Sequence, residues 1–234
     1  MRPCPNCGEG APEGARFCSA CGAPLDADPQ GRPELRKVVT LVFCDLSGST
    51  SLGERLDPES VRRIVTRYFD SMRGALERHG GTVEKFVGDA VMAVFGAPEP
   101  STDHADRAIV AAAAMHAAQV EINSQWVLEG LEPFPLGIGV SSGDVAAALL
   151  GSEERLEYTV VGDAVNLCQR LQQFAADGEV VVSDVTWDQL TVKPPAEDLG
   201  EHLVKGRTTP VRPHKIASIN RPAVSAGVIE ENAL

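Results

Sequence analysis

The sequence is short of basic charge. Its 21 Lys and Arg residues face 33 Asp and Glu, a net charge of −12 with no Lys/Arg run. A nonspecific nucleic-acid or membrane-surface binder needs the opposite balance, so both classes are disfavoured. Small anionic ligands are not excluded, because a local pocket can be positive on an acidic chain. Long hydrophobic runs are also missing. The most apolar stretch, Ala108 to Ala118, is too short for a bilayer and contains His116. The N-terminus carries Cys and Pro where a secretory signal needs an apolar core, so no export is expected. There is no internal repeat. What remains is 234 residues, 43% apolar, enough for one sizeable domain with a real core and a small appendage.

Six cysteines are present, and four of them form two C-x-x-C pairs, Cys4/Cys7 and Cys18/Cys21. Cys44 and Cys168 are embedded in apolar patterns and read as small buried residues. This usage predicts reduced thiols and a cytoplasmic setting rather than a disulfide framework. Four thiolates in so short a segment suit a closed tetrahedral Zn²⁺ site, one structural ion per chain. The segment resembles a small zinc ribbon. It is compatible with a module for a protein partner or with a regulatory switch.

The organisation predicted is a ribbon over 1–24, a polar Pro-containing linker over 25–35, a main domain over 36–217 and a loose tail over 218–234. Val38 to Phe43 reads as a buried central strand. A helix is expected from Pro58 to about His79, with Asp57 as its N-cap and Gly80-Gly81 as its stop. Thr82–Val87 and Ala90–Phe95 read as a hairpin around Gly88-Asp89. An Ala-rich helix follows from Asp103 to about Glu129. Separate strands are expected at Leu136–Val140, Val145–Leu149 and Glu157–Val161, then a helix from about Asp163 to Ala175 with Asp163 as N-cap. A strand at Glu179–Val182, a short helix near Asp184–Leu190 and a hairpin through His202–Val204 and Val211–Ile216 close the domain. The order is that of an α+β, ferredoxin-like antiparallel sheet with helices on one face.

Three segments carry chemistry. In Leu41-Val-Phe-Cys-Asp-Leu-Ser-Gly-Ser-Thr50, Asp45 ends a strand. Ser47, Gly48, Ser49 and Thr50 then follow as small residues whose N–H groups suit phosphate. In Val83-Glu-Lys-Phe-Val-Gly-Asp89, a second carboxylate sits in the hairpin turn. Either aspartate alone is what an ordinary turn would carry. As a pair they can hold two Mg²⁺ or Mn²⁺ ions against a polyphosphate. Lys85 shares a face with Val83 and Val87 under strict alternation, an unusual place for a solvated lysine. The third segment, Tyr158-Thr-Val-Val-Gly-Asp-Ala-Val-Asn-Leu-Cys-Gln-Arg170, sets Asn166 and Arg170 four apart on one helix face, with Gln173 beyond.

From about Arg36 to Ile216 these motifs resemble the class III nucleotidyl cyclase family, the adenylate/guanylate cyclase homology domain. The resemblance implies that Asp45, Asp89 and the Leu46 carbonyl hold the two metal ions. It implies that Lys85 and Thr159 read the purine, Asn166 orients the ribose and Arg170 stabilises phosphate charge. Lys is the residue of adenine readers, and guanylate cyclases carry Glu there. Thr159 stands where many adenylate cyclases have Asp, which leaves the stringency for adenine open. The implied activity is conversion of ATP to 3′,5′-cyclic AMP and pyrophosphate for intracellular signalling, by a homodimer in which each site draws on both chains. A guanylate or relaxed-specificity cyclase and a silent nucleotide-sensing module are the competing readings. A zinc-ribbon nucleic-acid binder fits poorly with so acidic a chain.

Overall fold

The computed structural model describes residues 35–46, 56–152, 155–205 and 207–216, together with 2–3, 9–11 and 20. Cys4, Cys7, Cys18 and Cys21, residues 25–34, residues 47–55 and residues 217–234 lie outside the described residues. The chain divides into two compact units, Met1–Leu35 and Arg36–Leu234. In the first, β1 (Arg2–Pro3) pairs antiparallel with β2 (Gly10–Ala11).

The second unit is built on β3 (Leu35–Leu46), longer at both ends than its apolar run. Val42, Cys44 and Leu46 enter one core cluster, and Val39, Leu41 and Phe43 another, so the strand is buried on both faces. Helix α1 (Pro58–Arg78) starts where the sequence places it: the Asp57 carboxylate accepts from the Ser60 N–H at 2.9 Å, with Pro58 in the first turn. Its buried stripe of Ile64, Tyr68, Met72, Ala75 and Leu76 packs on the sheet and on α2 (His104–Leu128). Strands β4 (Thr82–Val87) and β5 (Ala90–Phe95) form the expected hairpin. Gly88 supplies the left-handed residue its turn needs, with φ +65°.

Three expectations give way here. Residues 136–152 form a single strand, β6 (Leu136–Ser152), not two. The expected gap falls on Ser141 to Asp144, a small and polar stretch. In the fold Ser141 and Ser142 are buried, and the Ser142 hydroxyl pairs with Thr40 Oγ1 at 2.7 Å. Thr40 Oγ1 also meets His104 Nδ1 at 2.7 Å, so hydrogen bonds among Thr40, Ser142 and His104 carry the strand through this stretch. Second, helices cover both faces of the sheet. Helix α3 (Asp163–Gln172) packs opposite α1 and α2, and a Cβ on Gly139 would stand 2.4 Å from Cys168 O and Gln172 N. Third, Gly162 rather than Asp163 is the N-cap, and Asp163 is the first helical residue.

The remaining strands are β7 (Arg155–Val161), β8 (Val180–Val182), β9 (Ala196–Asp198) and β10 (His214–Ile216), with a short helix α4 (Asp184–Gln189) capped by Ser183. The order across the sheet is β4-β5-β3-β6-β8-β10-β9, with β7 on the far half of β6. Among the pairings described, one departs from the antiparallel pattern: β8 runs parallel to β6, because the chain returns through α3 on the sheet's second face. In place of the terminal hairpin stand an isolated His202↔Val211 bridge and β10, which pairs β8 and β9.

His116, on α2, is buried, and burial pushes its pKa down from 6.5 to about 4 despite a backbone hydrogen bond at Glu179. The unfolded chain therefore takes up a proton that the folded one refuses. Stability from this group is complete above pH 6.5 and is lost as pH falls from there towards 4. The full loss is about 3 kcal/mol. His116→Asn, which cannot titrate, should flatten the fall of the melting midpoint between pH 6.5 and 4.5. Parallel curves for the two proteins would remove His116 as the cause.

Candidate functional site

Asp45 is the penultimate residue of β3, and Asp89 lies in the β4–β5 turn. Strand β5 runs antiparallel to β3 with Cys44 opposite Val91, which sets the two carboxylates side by side. Burial raises the Asp45 pKa to about 6, and the Asp89 carboxylate adds to the rise through a hydrogen bond and its charge. Asp45 Oδ1 is buried without a hydrogen-bond partner. An orphaned acceptor facing a second carboxylate is a site that a cation would complete. Among the described residues no group of three or more His, Cys, Asp or Glu is arranged to hold a metal ion. Two hard oxygen donors fit Mg²⁺ or Mn²⁺, which share their shell with substrate phosphates, and not a closed all-protein cage. Leu46, next in the chain, has its side chain in the core, and the Ser47–Thr50 segment is outside the described residues.

Cys44 flanks this pair but is inert. Its thiol is fully buried 3.5 Å from the Tyr68 hydroxyl, and burial pushes its pKa up to about 12. Cys168, whose pKa burial also raises, donates to the carbonyls of Leu41 and Gly139 at 3.3 Å.

Lys85 does not share a face with Val83. The register passes from Val83↔Ala93 to Lys85↔Met92, so Glu84 is an extra residue in a β-bulge. Val83 packs with the α1/α2 side of the sheet, while Lys85 and Val87 pair with Met92 and Ala90 of the opposite cluster. Lys85 Nζ then lies 3.3 Å from Thr159 Oγ1 on β7 and 3.0 Å from Glu84 Oε1. The Thr159 hydroxyl donates to the same Glu84 oxygen. This cluster joins residues 74 and 75 apart in sequence. Sequence reasoning paired Lys85 with Thr159 and missed Glu84, since a bulge has no signature in alternation.

Asn166 and Arg170 share a face of α3, and Arg170 Nη1 donates to Gln173 at 3.3 Å. They line a cleft of about 230 Å³ with Asp163, Lys205 and Arg207. Arg207 Nη2 pairs with Asp163 Oδ2 at 3.1 Å. Lys205 and Arg207 were missed. Their only signal is a pair of cations just after Val204, and the His202↔Val211 bridge closes the loop that carries them. On an acidic chain this is a local concentration of positive charge, suited to phosphate. Asp45, Asp89 and Lys85 are not among the residues that line this cleft.

Comparison with known proteins agrees with the motifs. Residues 32–217 match the adenylate and guanylate cyclase catalytic domain, and residues 4–25 the zinc-ribbon domain. Adenylate cyclase 1 of Rhizobium meliloti is 32% identical over 193 residues, covering 82% of this chain and 29% of the relative. The adenylate cyclase of Anabaena cylindrica is 33% identical over 138 residues, 57% of this chain and 26% of the relative. The chain thus spans under a third of the length of these two relatives. Among solved structures, the adenylyl cyclase CyaB from P. aeruginosa superposes with a TM-score of 0.75 at 30% identity, covering 80% of this chain and 97% of that one. The guanylyl cyclase Cya2 gives 0.74 at 34% identity, covering 81% and 96%. The chain, a zinc-ribbon segment followed by a mixed sheet with helices on both faces, belongs to the adenylate and guanylate cyclase catalytic domain family.

Proposed function

We propose that the chain is an adenylate cyclase, forming 3′,5′-cyclic AMP and pyrophosphate from ATP inside the cell. The observation that carries adenine over guanine is the Lys85–Thr159 contact, 3.3 Å between Nζ and Oγ1. An ammonium donor suits adenine N1, and a hydroxyl oxygen accepts from the 6-amino group. Asn166 orients the ribose. Arg170, with Lys205 and Arg207 beside it, takes the negative charge that grows on the phosphates as the 3′-oxygen attacks the α-phosphorus and pyrophosphate leaves. Two Mg²⁺ or Mn²⁺ ions, held by Asp45, Asp89 and the Leu46 carbonyl with Ser47–Thr50 near the phosphates, would supply activation of the 3′-hydroxyl and neutralise the triphosphate.

The separation between the carboxylate pair and the α3 cleft supports a homodimer in which one protomer's Asp45 and Asp89 face the partner's cleft. Cys4, Cys7, Cys18 and Cys21 are read as ligands of one structural Zn²⁺. No described helix is long and apolar enough to cross a membrane. A guanylate cyclase is the second reading, favoured by the 34% identity to a solved guanylyl cyclase. Lys85 opposes it, because guanine N1–H is a donor that an ammonium cannot accept.

The test is product formation by purified protein given ATP or GTP with Mg²⁺ or Mn²⁺. Cyclic AMP should dominate, and the preparation should carry one zinc per chain. Equal or greater cyclic GMP would overturn the adenine reading, and no product from either nucleotide would overturn the enzyme.

A further inference from the structure

Glu84 is the least expected residue of the purine-reading cluster. Its side chain is 3% exposed, while that of Lys85 beside it is 45% exposed. Glu84 Oε1 accepts from both Thr159 Oγ1 and Lys85 Nζ, and Oε2 is buried without a partner. A carboxylate so far from water is costly unless it is paired, and the β-bulge that brings it there interrupts the ladder between Val83 and Lys85. Packing alone would be better served by an apolar residue. We propose that Glu84 is the positioning residue that fixes the polarity of the base site for adenine, acting through the Thr159 hydroxyl.

The donor count makes the case. A threonine hydroxyl has one hydrogen and two lone pairs, and an ionised carboxylate only accepts. With its hydrogen committed to Glu84 and one lone pair taken by Lys85, Thr159 has only an acceptor left. Lys85 has three hydrogens. Glu84 and Thr159 use two, leaving one donor on a side chain that is 45% exposed. One acceptor beside one donor is the complement of adenine, whose 6-amino group donates and whose N1 accepts. Guanine presents the reverse, a 6-oxo acceptor and an N1–H donor. Remove the Glu84 carboxylate and the Thr159 hydroxyl is free to turn and donate to the guanine 6-oxygen. Glu84 thus supplies the fixed direction that an aspartate at position 159 would have by itself.

The inference rests on Lys85 and Thr159 being the base readers, and the experiment separates the two. The readout is the ratio of kcat/KM for ATP to that for GTP in the full-length protein. Glu84→Met, similar in length and with only a weak thioether acceptor, should lower the ratio roughly tenfold, the scale of one hydrogen bond of reversed polarity. Most of that change should come from a gain with GTP. Glu84→Gln keeps a carbonyl acceptor and should keep the ratio. In a Thr159→Val background the Glu84→Met change should have no further effect on the ratio, because the hydroxyl it orients is gone. Wild-type protein with no preference for ATP would sink the base-reading assignment itself. A wild type that prefers ATP, with Glu84→Met reducing both nucleotides equally, would sink only the role of Glu84. Should Glu84→Met not fold, Glu84→Ala takes its place, and failure of both to fold would make Glu84 a packing anchor and overturn the proposal.

Discussion

Asp45→Asn and Asp89→Asn should each reduce cyclic nucleotide formation by roughly a thousandfold or more, the scale of several kcal/mol of charge stabilisation at the reacting phosphate. The fold should not suffer. Asp45 has its pKa raised to about 6 by burial and by the Asp89 carboxylate, so its ionised form is the disfavoured one in the metal-free protein. The sign follows: the unfolded carboxyl titrates near 3.8, and above pH 6 the ionised group weakens the folded state. Asp45→Asn removes that burden, so its melting midpoint without metal at pH 7.5 should equal or exceed that of the wild type. Adding Mg²⁺ should raise the wild-type midpoint and leave the variant where it was. Near-normal turnover in either variant would end the two-ion assignment. A large drop in the metal-free midpoint would mean the carboxylate is a structural contact instead.

Mixing two inactive variants should restore activity. Asp45→Asn damages the carboxylate half of a site, and Arg170→Ala damages the cleft half. In a two-fold homodimer each parent carries the lesion in both sites. In a mixed dimer one composite site holds both lesions and the other holds neither. With random exchange half the dimers are mixed and each has one of two sites intact, so recovery should approach roughly a quarter of wild-type activity. Arg170→Ala is suited to this because its guanidinium touches only Gln173 of α3 among the contacts described, at 3.3 Å. The measurement is cyclic AMP formation after mixing, with exchange verified by differently tagged chains. Demonstrated exchange without recovery would put the complete site in a single chain.

The placing of Asp45 and Asp89 and the shared face of Asn166 and Arg170 were legible before any fold was known, and the reasons are local, whereas the pairing of Lys85 with Thr159, 74 residues apart, was implied only by the family resemblance. Asp45 follows an apolar run, Asp89 occupies a Gly-Asp turn, and Asn166 and Arg170 are one helical turn apart. The same locality made α1 readable to its cap, since Asp57, Pro58 and Ser60 settle that helix start among themselves. Hairpin β4–β5 was readable too, because Gly88 with φ +65° needs no distant partner.

What failed depends on atoms far away in sequence. Ser141 to Asp144 continues β6 because Thr40 and His104 satisfy a polar cluster with the Ser142 hydroxyl, 102 residues from Thr40. The face that Lys85 occupies was decided by the bulge at Glu84, a register shift against β5 that alternation within one strand cannot reveal. Lys205 and Arg207 became part of the α3 cleft only because the loop after Val204 is closed by the His202↔Val211 bridge. Residue types and spacings determine which chemistry the chain carries, because turns, caps and helix faces are short-range. Which side chains meet is decided by strand register and long-range hydrogen bonding, where a single extra residue on β4 brings a buried carboxylate to the Lys85–Thr159 contact.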